Sequence, residues 1–355
     1  MSEILGFLED AIKADASDLF IVAGLRLSAK INGSIYPVGE EVVMPDKSNR
    51  FVTEIYALAS RSMDHYLANG DDDFSLSVKG LSRFRVSTYR QRGTMAAVIR
   101  VVRFNLPDFN LFGIHDEATF VSKKTRGLVL VTGPAGSGKS TTLAYMTDTI
   151  NSERNAHIIT IEDPIEFLHK NKKSIVSQRE INIDTESYPV ALRACLRQAP
   201  DVIILGEMRD LDTIRTAMTA AETGHLVIST LHTIGAVNTI DRIIDVFPTG
   251  QQQQIRVQLS MVLQSVISQQ LLPTTDGKLR PAFEIMHLNS AIRNLIRDSK
   301  THQIDTVIQS SSSEGMVGMD ASIFDMYKNN MISAETAKTV SYNLEVMERK
   351  IAQGK

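Results

Sequence analysis

The stretch Gly133-Pro-Ala-Gly-Ser-Gly-Lys-Ser-Thr-Thr142 fits the spacing G-x-x-x-x-G-K-[ST], with Gly133, Gly138, Lys139 and Ser140 in register. Such a turn is suited to holding a polyphosphate. Its glycines let consecutive backbone N–H groups face inward, and a helix opening at Lys139 adds the partial positive charge of its N-terminus. The cradle is expected to run from Gly133 through Pro134, Ala135, Gly136, Ser137, Gly138, Lys139 and Ser140 to Thr141. Lys139 would reach the β- and γ-phosphates of ATP, and the Ser140 hydroxyl would ligate Mg²⁺. The flanks support the motif. Gly127-Leu-Val-Leu-Val-Thr132 reads as a buried strand, and a helical run continues to Ile150.

Hydrolysis also needs carboxylates near the metal and a group that orients water. Two segments supply acids just past the carboxyl ends of predicted strands, where ligands sit in parallel α/β sheets. In Ile158-Ile-Thr-Ile-Glu-Asp-Pro-Ile-Glu-Phe167, the acids Glu162, Asp163 and Glu166 crowd together, which a nearby cation would relieve. In Pro200-Asp-Val-Ile-Ile-Leu-Gly-Glu-Met-Arg-Asp210, the strand ends at Gly206 and presents Glu207, while Asp210 is placed to cap the next helix. Glu207 and Glu166 are the leading candidates for water activation, and Glu162 and Glu207 join Ser140 as metal-shell candidates. His225 and His232 bracket another apolar strand and suit a sensor of the γ-phosphate. Zinc is disfavoured, because no third or fourth ligand is spaced nearby. Arg83, Arg85, Arg90, Arg92, Arg100 and Arg103 cluster earlier in the chain. Singly they read as solvated surface; as a group they suit arginine fingers acting on a neighbour's nucleotide.

The elements that must position these residues fall in two blocks. Residues 2–15 have helical spacing with Ser2 as a cap, and strands follow at Leu19–Ala23 and around an Asn32-Gly33 turn. Helices open at Pro45, and antiparallel strands close an α+β module over roughly residues 1–103. Residues 104–114, broken by Pro107, read as a linker. From 115 onwards apolar strands at Leu128–Thr132, His157–Ile161, Val202–Leu205 and Leu226–Thr230 alternate with amphipathic helices, predicting a largely parallel sheet covered on both faces. The remainder is predicted to be helical, at Ala236–Val246, Gly250–Leu271, Ala291–Arg297, Ala321–Asn330 and Ala334–Ala352.

Composition narrows the class further. A chain of 355 residues suggests more than one domain, and its 43% apolar content is ordinary for a globular protein. No apolar run approaches a membrane span of about 18 residues, and the opening residues lack a signal-peptide pattern. The one cysteine, Cys195, excludes a disulfide framework within the chain and is expected to pack as a small buried hydrophobe. A net charge of −3 gives no global pull towards nucleic acid, and a reducing cytoplasm is the expected compartment.

Taken in order, Gly133–Thr142, Thr160–Phe167, Leu196–Asp210 and Glu222–Thr233 resemble the Walker A, Asp, Walker B and His boxes of secretion-superfamily ATPases. The nearest resemblance is to the type IV pilus retraction ATPases, the PilT/PilU family. Ala16-Ser-Asp-Leu19, Arg83-Phe-Arg-Val86 and Ala291-Ile-Arg-Asn-Leu-Ile-Arg297 extend it over nearly the whole chain. The resemblance implies a PAS-like N-terminal domain, a RecA-like C-terminal domain with a helical end, and a homohexameric ring. It also implies nucleotide held between domains, with arginines similar to Arg85, Arg100 and Arg103 closing on it. Hydrolysis would rotate the domains and turn a platform protein of the inner membrane, placing the chain at that membrane's cytoplasmic face. PilT proteins usually read S-D-L-H-L where this chain has Ser17-Asp-Leu-Phe-Ile21, and an acid where Ala199 stands. Those two features look like PilU, the accessory ATPase, whereas His225–Thr233 and Ala291–Arg297 look like PilT. Both roles stay open, as does partnership with a second retraction ATPase.

Three other functions fit less of the sequence. An assembly or secretion ATPase would carry a further N-terminal domain and a tetracysteine motif, against the single Cys195 here. A nucleic-acid translocase would show a basic–aromatic stripe, and none appears. A subunit that binds ATP without hydrolysing it would not need Lys139, Ser140, Glu166 and Glu207 together.

Overall fold

The computed structural model describes residues 3–31, 33–102 and 114–353. The expected cap Ser2, the turn residue Asn32, Arg103 and the expected linker up to residue 113 lie outside the described residues. The fold is mixed α/β, and the chain divides into two compact units. One is Met1–Asn105 with Pro164–Leu168, and the other is Leu106–Asp163 with His169–Lys355.

In the first unit, Ile4, Phe7, Leu8 and Ala11 recur at helical spacing and are all buried, forming the inner face of α1 (Glu3–Lys13). Strands β1 (Asp18–Ile21), β2 (Arg26–Ile31) and β3 (Ser34–Val42) follow. Next come α2 (Pro45–Leu58) and α3 (Asp64–Asn69). Pro45 opens α2, where its missing N–H costs nothing. Strands β4 (Asp71–Val78), β5 (Ser82–Gln91) and β6 (Thr94–Val102) complete a wholly antiparallel sheet in the order β3-β2-β1-β6-β5-β4. Phe84 and Val86 of β5 join the helical core while Arg83 and Arg85 alternate to the other face. Register sets Lys30, Asp18, Arg100, Arg85 and Ser75 in one transverse row. Opposed Arg85 and Arg100 repel by up to about 1 kcal/mol. Asp18 offsets this, because its Oδ1 accepts from Arg100 Nε at 2.9 Å.

Asp72, like Asp18, is a buried carboxylate of this unit. Its carboxylate accepts from Arg61 Nε and Nη2 at 2.9 Å each and from the Tyr56 hydroxyl at 3.0 Å. Burial pushes this carboxyl up, and the hydrogen bonds from Arg61 and Tyr56 outweigh burial and hold it below its ordinary value. A depressed carboxyl contributes stability above its unfolded pKa and loses it as pH falls through the folded value. Arg61→Ala is therefore expected to cost about 2 kcal/mol near neutral pH and to flatten the acid limb of stability. Urea denaturation across the acid range checks both.

The second unit begins with α4 (His115–Ser122) and β7 (Gly127–Thr132), a strand buried along its whole length. Then follow α5 (Lys139–Glu153), β8 (His157–Glu162), β9 (Ile175–Glu180), α6 (Tyr188–Cys195), β10 (Val202–Leu205), α7 (Leu211–Glu222) and β11 (Leu226–Leu231). After α8 (Ala236–Asp245) and α9 (Thr249–Val262), the hairpin β12 (Leu263–Pro273) and β13 (Leu279–His287) completes the sheet. Its order is β13-β12-β7-β11-β10-β8-β9, antiparallel only between β12 and β13. Leu128, Leu130 and Val227 pack on one face with α7, α8 and α9, while Val129, Val131 and Ile228 pack on the other with α5. Burial on both faces is why these strands read as unbroken apolar runs. Among the described residues, five α-helices follow: α10 (Ser290–Arg297), α11 (Ile304–Ser310), α12 (Met319–Lys328), α13 (Ala334–Val340) and α14 (Leu344–Gln353).

Two expectations are corrected. The helix expected over Gly250–Leu271 stops at Val262, and the chain continues as β12. A short apolar run does not distinguish strand from buried helix by period, and here pairing beside β7 decides. The helix expected over Ala334–Ala352 breaks at Ser341–Asn343, where both carboxylate oxygens of Asp320 accept the N–H groups of Tyr342 and Asn343 at 2.7 and 3.0 Å. Cys195 is buried, and burial pushes its thiol up to about 11, as a structural role requires.

Candidate nucleotide site

At the carboxyl end of β7 the chain turns through Gly133–Gly138 into α5. Gly133 has φ 145°, and a Cβ there would lie 2.3 Å from the Gln269 carbonyl oxygen and 2.6 Å from Ser137 Oγ. Only glycine fits this approach. Gly138, with φ 88°, is the residue from which α5 starts. Pro134, Ala135 and Gly136 form the exposed tip, whereas Ser137 and Lys139 are buried. Lys139 Nζ donates to the carbonyls of Gly133 at 3.0 Å and Pro134 at 2.8 Å, so the ammonium is held within the loop. Ser140 and Thr141 stand half-buried in the first turn of α5.

Because β7, β11, β10 and β8 run parallel, their carboxyl ends share one edge of the sheet. Leu205 is level with Ser229, and Ser229 with Leu130. Glu207, two residues on, therefore stands near the level of Thr132, about 10 Å away across two strand spacings. Its loop is pinned on both sides. Gly206 N donates to Ile161 O at 2.8 Å, Thr230 Oγ1 donates to Gly206 O at 2.5 Å, and Met208 N donates to Thr230 O at 3.2 Å. The Glu207 carboxylate is only 11% exposed, with Oε2 2.6 Å from Arg209 Nε and 3.3 Å from His232 Nε2. Glu162, at the end of β8, accepts from Thr160 Oγ1 at 2.6 Å and Gln178 Nε2 at 3.1 Å. Tyr188 faces the same acids. Burial first, and then the charges of Glu207, Asp163 and Glu162, push its phenol far above the ordinary range, so it stays protonated. Asp210 caps α7 as its position predicts, accepting from Thr213 N at 2.8 Å.

The expected residues thus separate into groups. The loop Gly133–Thr141, with Glu162, Asp163, Glu207 and His232, lies along the carboxyl edge of the second unit's sheet. His225 does not. It precedes β11, whose Leu226 pairs with Gly127, and so sits at the opposite edge, about 20 Å along the strand. There its Nδ1 lies 3.0 Å from Ala220 O and its carbonyl accepts Gly127 N, bracing a turn. That placement corrects its expected role beside the phosphate. Glu166 is exposed and belongs to the first unit. Arg85 and Arg100 share the polar face of the first unit's sheet, and Arg103 lies outside the described residues. Arg90 instead donates to Leu67 O at 3.2 Å and covers the Tyr66 ring, holding α3.

Sequence reasoning missed three participants. Arg209 lies in the quoted acidic segment, two residues past Glu207. Tyr188 has no motif to mark it. Gln269 was hidden because its segment read as helix; the Asp276-Gly277 turn between alternating apolar runs was the available hairpin signal.

The donor set fits a phosphate-bound Mg²⁺ rather than a protein-caged metal. Among the described residues no three His, Cys, Asp or Glu gather into a metal cluster. Mg²⁺ typically takes one or two protein oxygens and completes its shell with phosphate and water. A glycine cradle that a Cβ would fill, with a serine at the first helical turn, meets that requirement.

Among the described residues no helix is long and apolar enough to cross a membrane. Residues 2–348 match the family described as Type II/IV secretion system protein. The chain is 43% identical over 339 residues to the type IV pilus retraction ATPase PilT of Pseudomonas aeruginosa, covering 95% of this chain and 97% of that protein. It is 37% identical over 327 residues to the type IV pilus ATPase PilU of the same species, covering 92% and 85%. The crystal structure of the pilus retraction motor PilT with bound ADP superposes with a TM-score of 0.91 at 43% identity, covering 98% of this chain and all of that one.

Proposed function

Since the chain belongs to the Type II/IV secretion system protein family, we propose that it is an ATPase whose turnover drives retraction of a type IV pilus. The observation that carries this is the near end-to-end 43% identity to a pilus retraction ATPase, with the phosphate loop and the acidic edge in place. Identity to PilT exceeds that to PilU, 43% against 37%, which favours the principal retraction role over the accessory one.

In this reading Gly133–Thr141 hold the triphosphate of ATP, and Lys139 leaves its loop carbonyls to neutralise the β- and γ-phosphates. Mg²⁺, when bound, would withdraw charge from the phosphate oxygens, and Ser140, Glu207 and Glu162 would hold its shell. Glu207 orients and activates the attacking water, with Asp163 and Glu166 as further acids. Arg209 and His232 fix the Glu207 carboxylate, and His232 reports the γ-phosphate to β11. Arg85, Arg100 and Arg103 act on nucleotide held by another domain or subunit, and the Asp18 contact keeps Arg100 extended on its sheet face. The first unit is the PAS-like domain, supported by an antiparallel sheet whose first and last strands lie side by side at its centre. The second is RecA-like, supported by a P-loop strand in the interior of a largely parallel sheet. Six copies form a ring at the cytoplasmic face of the inner membrane and act on a platform protein there. A second retraction ATPase is a candidate partner, and nucleic acid is not.

ATPase rate per subunit, measured against protein concentration with solution mass recorded alongside, tests the ring. The rate is expected to climb as a sixfold species appears. A flat rate from a monomer would remove the ring motor and leave an ATPase. Arg100→Gln is expected to depress that concentration-dependent rate while leaving monomer nucleotide affinity unchanged. An equal loss of monomer affinity would make Arg100 a ligand within its own chain.

A further inference from the structure

Strand β12 runs beside β7, and two adjacent residues on it project to opposite faces. Ser268 Oγ accepts the Gly235 N–H at 2.9 Å, at the start of α8. Gln269, 1% exposed, faces the phosphate loop instead. Its Nε2 donates to the Ser137 carbonyl at 2.5 Å, and its Oε1 accepts from Thr142 Oγ1 at 2.8 Å. Its backbone carbonyl fills the space a Cβ on Gly133 would need, and its Nε2 lies 3.1 Å from where a Cβ on Gly138 would be. One residue thus touches the loop's beginning, its last peptide and the first turn of α5.

We propose that Gln269 is a positioning residue of the nucleotide site, fixing the Ser137–Gly138 peptide so that the Gly138 N–H faces the phosphates; this rests on the phosphate-binding reading above. In a trans peptide the C=O and N–H point opposite ways. A Ser137 carbonyl tied to Gln269 therefore turns the Gly138 N–H away from β12 and into the loop. Gly133, Gly136 and Gly138 all have positive φ, so the free loop has many alternative conformations. Ordering a residue costs about 1–2 kcal/mol. A tether that orders the loop before the ligand arrives converts part of that cost into affinity. Both ends of the Gln269 amide are engaged, so neither an apolar nor an acceptor-only side chain can replace it.

The test uses the full-length chain, fluorescently labelled Mg-ADP, and melting temperatures recorded without nucleotide. Gln269→Leu is expected to raise the ADP Kd at least tenfold and to raise the KM for ATP in step, with kcat at saturation falling less than threefold. Thr142→Val should weaken binding in the native background and add little on top of Gln269→Leu, because the two side chains act as one tether. Gln269→Glu should bind poorly at neutral pH and recover relative to wild type as pH falls, since the protonated acid can again donate to Ser137. If Gln269→Leu does not fold, Gln269→Glu and Thr142→Val carry the test. A Gln269→Glu chain of wild-type melting temperature with a Kd within twofold of wild type at all pH values overturns the proposal alone. Failure of wild type itself to bind Mg-ADP removes the phosphate-binding reading and this inference with it.

Discussion

Lys139→Ala is expected to weaken Mg-ATP binding by about two orders of magnitude, roughly 3 kcal/mol, the scale of losing a charge-assisted hydrogen-bonding group. The Lys139 ammonium is buried and donates to two neutral carbonyls of its own loop. A phosphate offers it a full negative charge, a stronger acceptor than a neutral carbonyl. Removing the side chain deletes the phosphate contact and strands the Gly133 and Pro134 carbonyls. Lys139→Arg should not restore wild-type affinity, because a planar guanidinium is too bulky for a point-charge site enclosed by backbone. Titration with labelled ATP measures both variants. Wild-type affinity in Lys139→Ala would sink the phosphate cradle.

Glu207→Gln is expected to separate binding from chemistry. The amide keeps the shape of the side chain while removing its charge, so nucleotide affinity should stay within a few-fold of wild type. Turnover should fall at least ~100-fold, as for loss of a general base or metal-shell carboxylate. The structure adds a second expectation. Arg209 is held above its ordinary value first by its hydrogen bond to Glu207 and then by that carboxylate's charge, so neutralising Glu207 frees Arg209 from the cluster. Arg209→Ala should therefore lower turnover less than Glu207→Gln does. Single-turnover hydrolysis alongside equilibrium binding reads both, and a Glu207→Gln chain turning over at wild-type rate would take this residue out of the mechanism.

The phosphate loop, the buried parallel strands around it and the acid at the tip of β10 were legible because local rules govern them. Glycine spacing sets the turn, unbroken apolar runs follow from burial on both faces, and Asp210 caps a helix through a bond to its own chain three residues on. The antiparallel first unit was legible for the same reason, through alternation such as Phe84-Arg-Val86. What could not be seen depends on partners distant in sequence. Leu263–Pro273 becomes a strand only because β7 and β13 pair with it on either side. His225 and His232 look alike in sequence, yet the length of β11 puts them at opposite edges of the sheet. Gln269 meets Ser137 and Thr142 from more than a hundred residues away. The sequence alone determined which chemistry the loop can hold. Only the tertiary structure decided which residues hold the loop, because those contacts come from strand pairing and register, which no local spacing encodes.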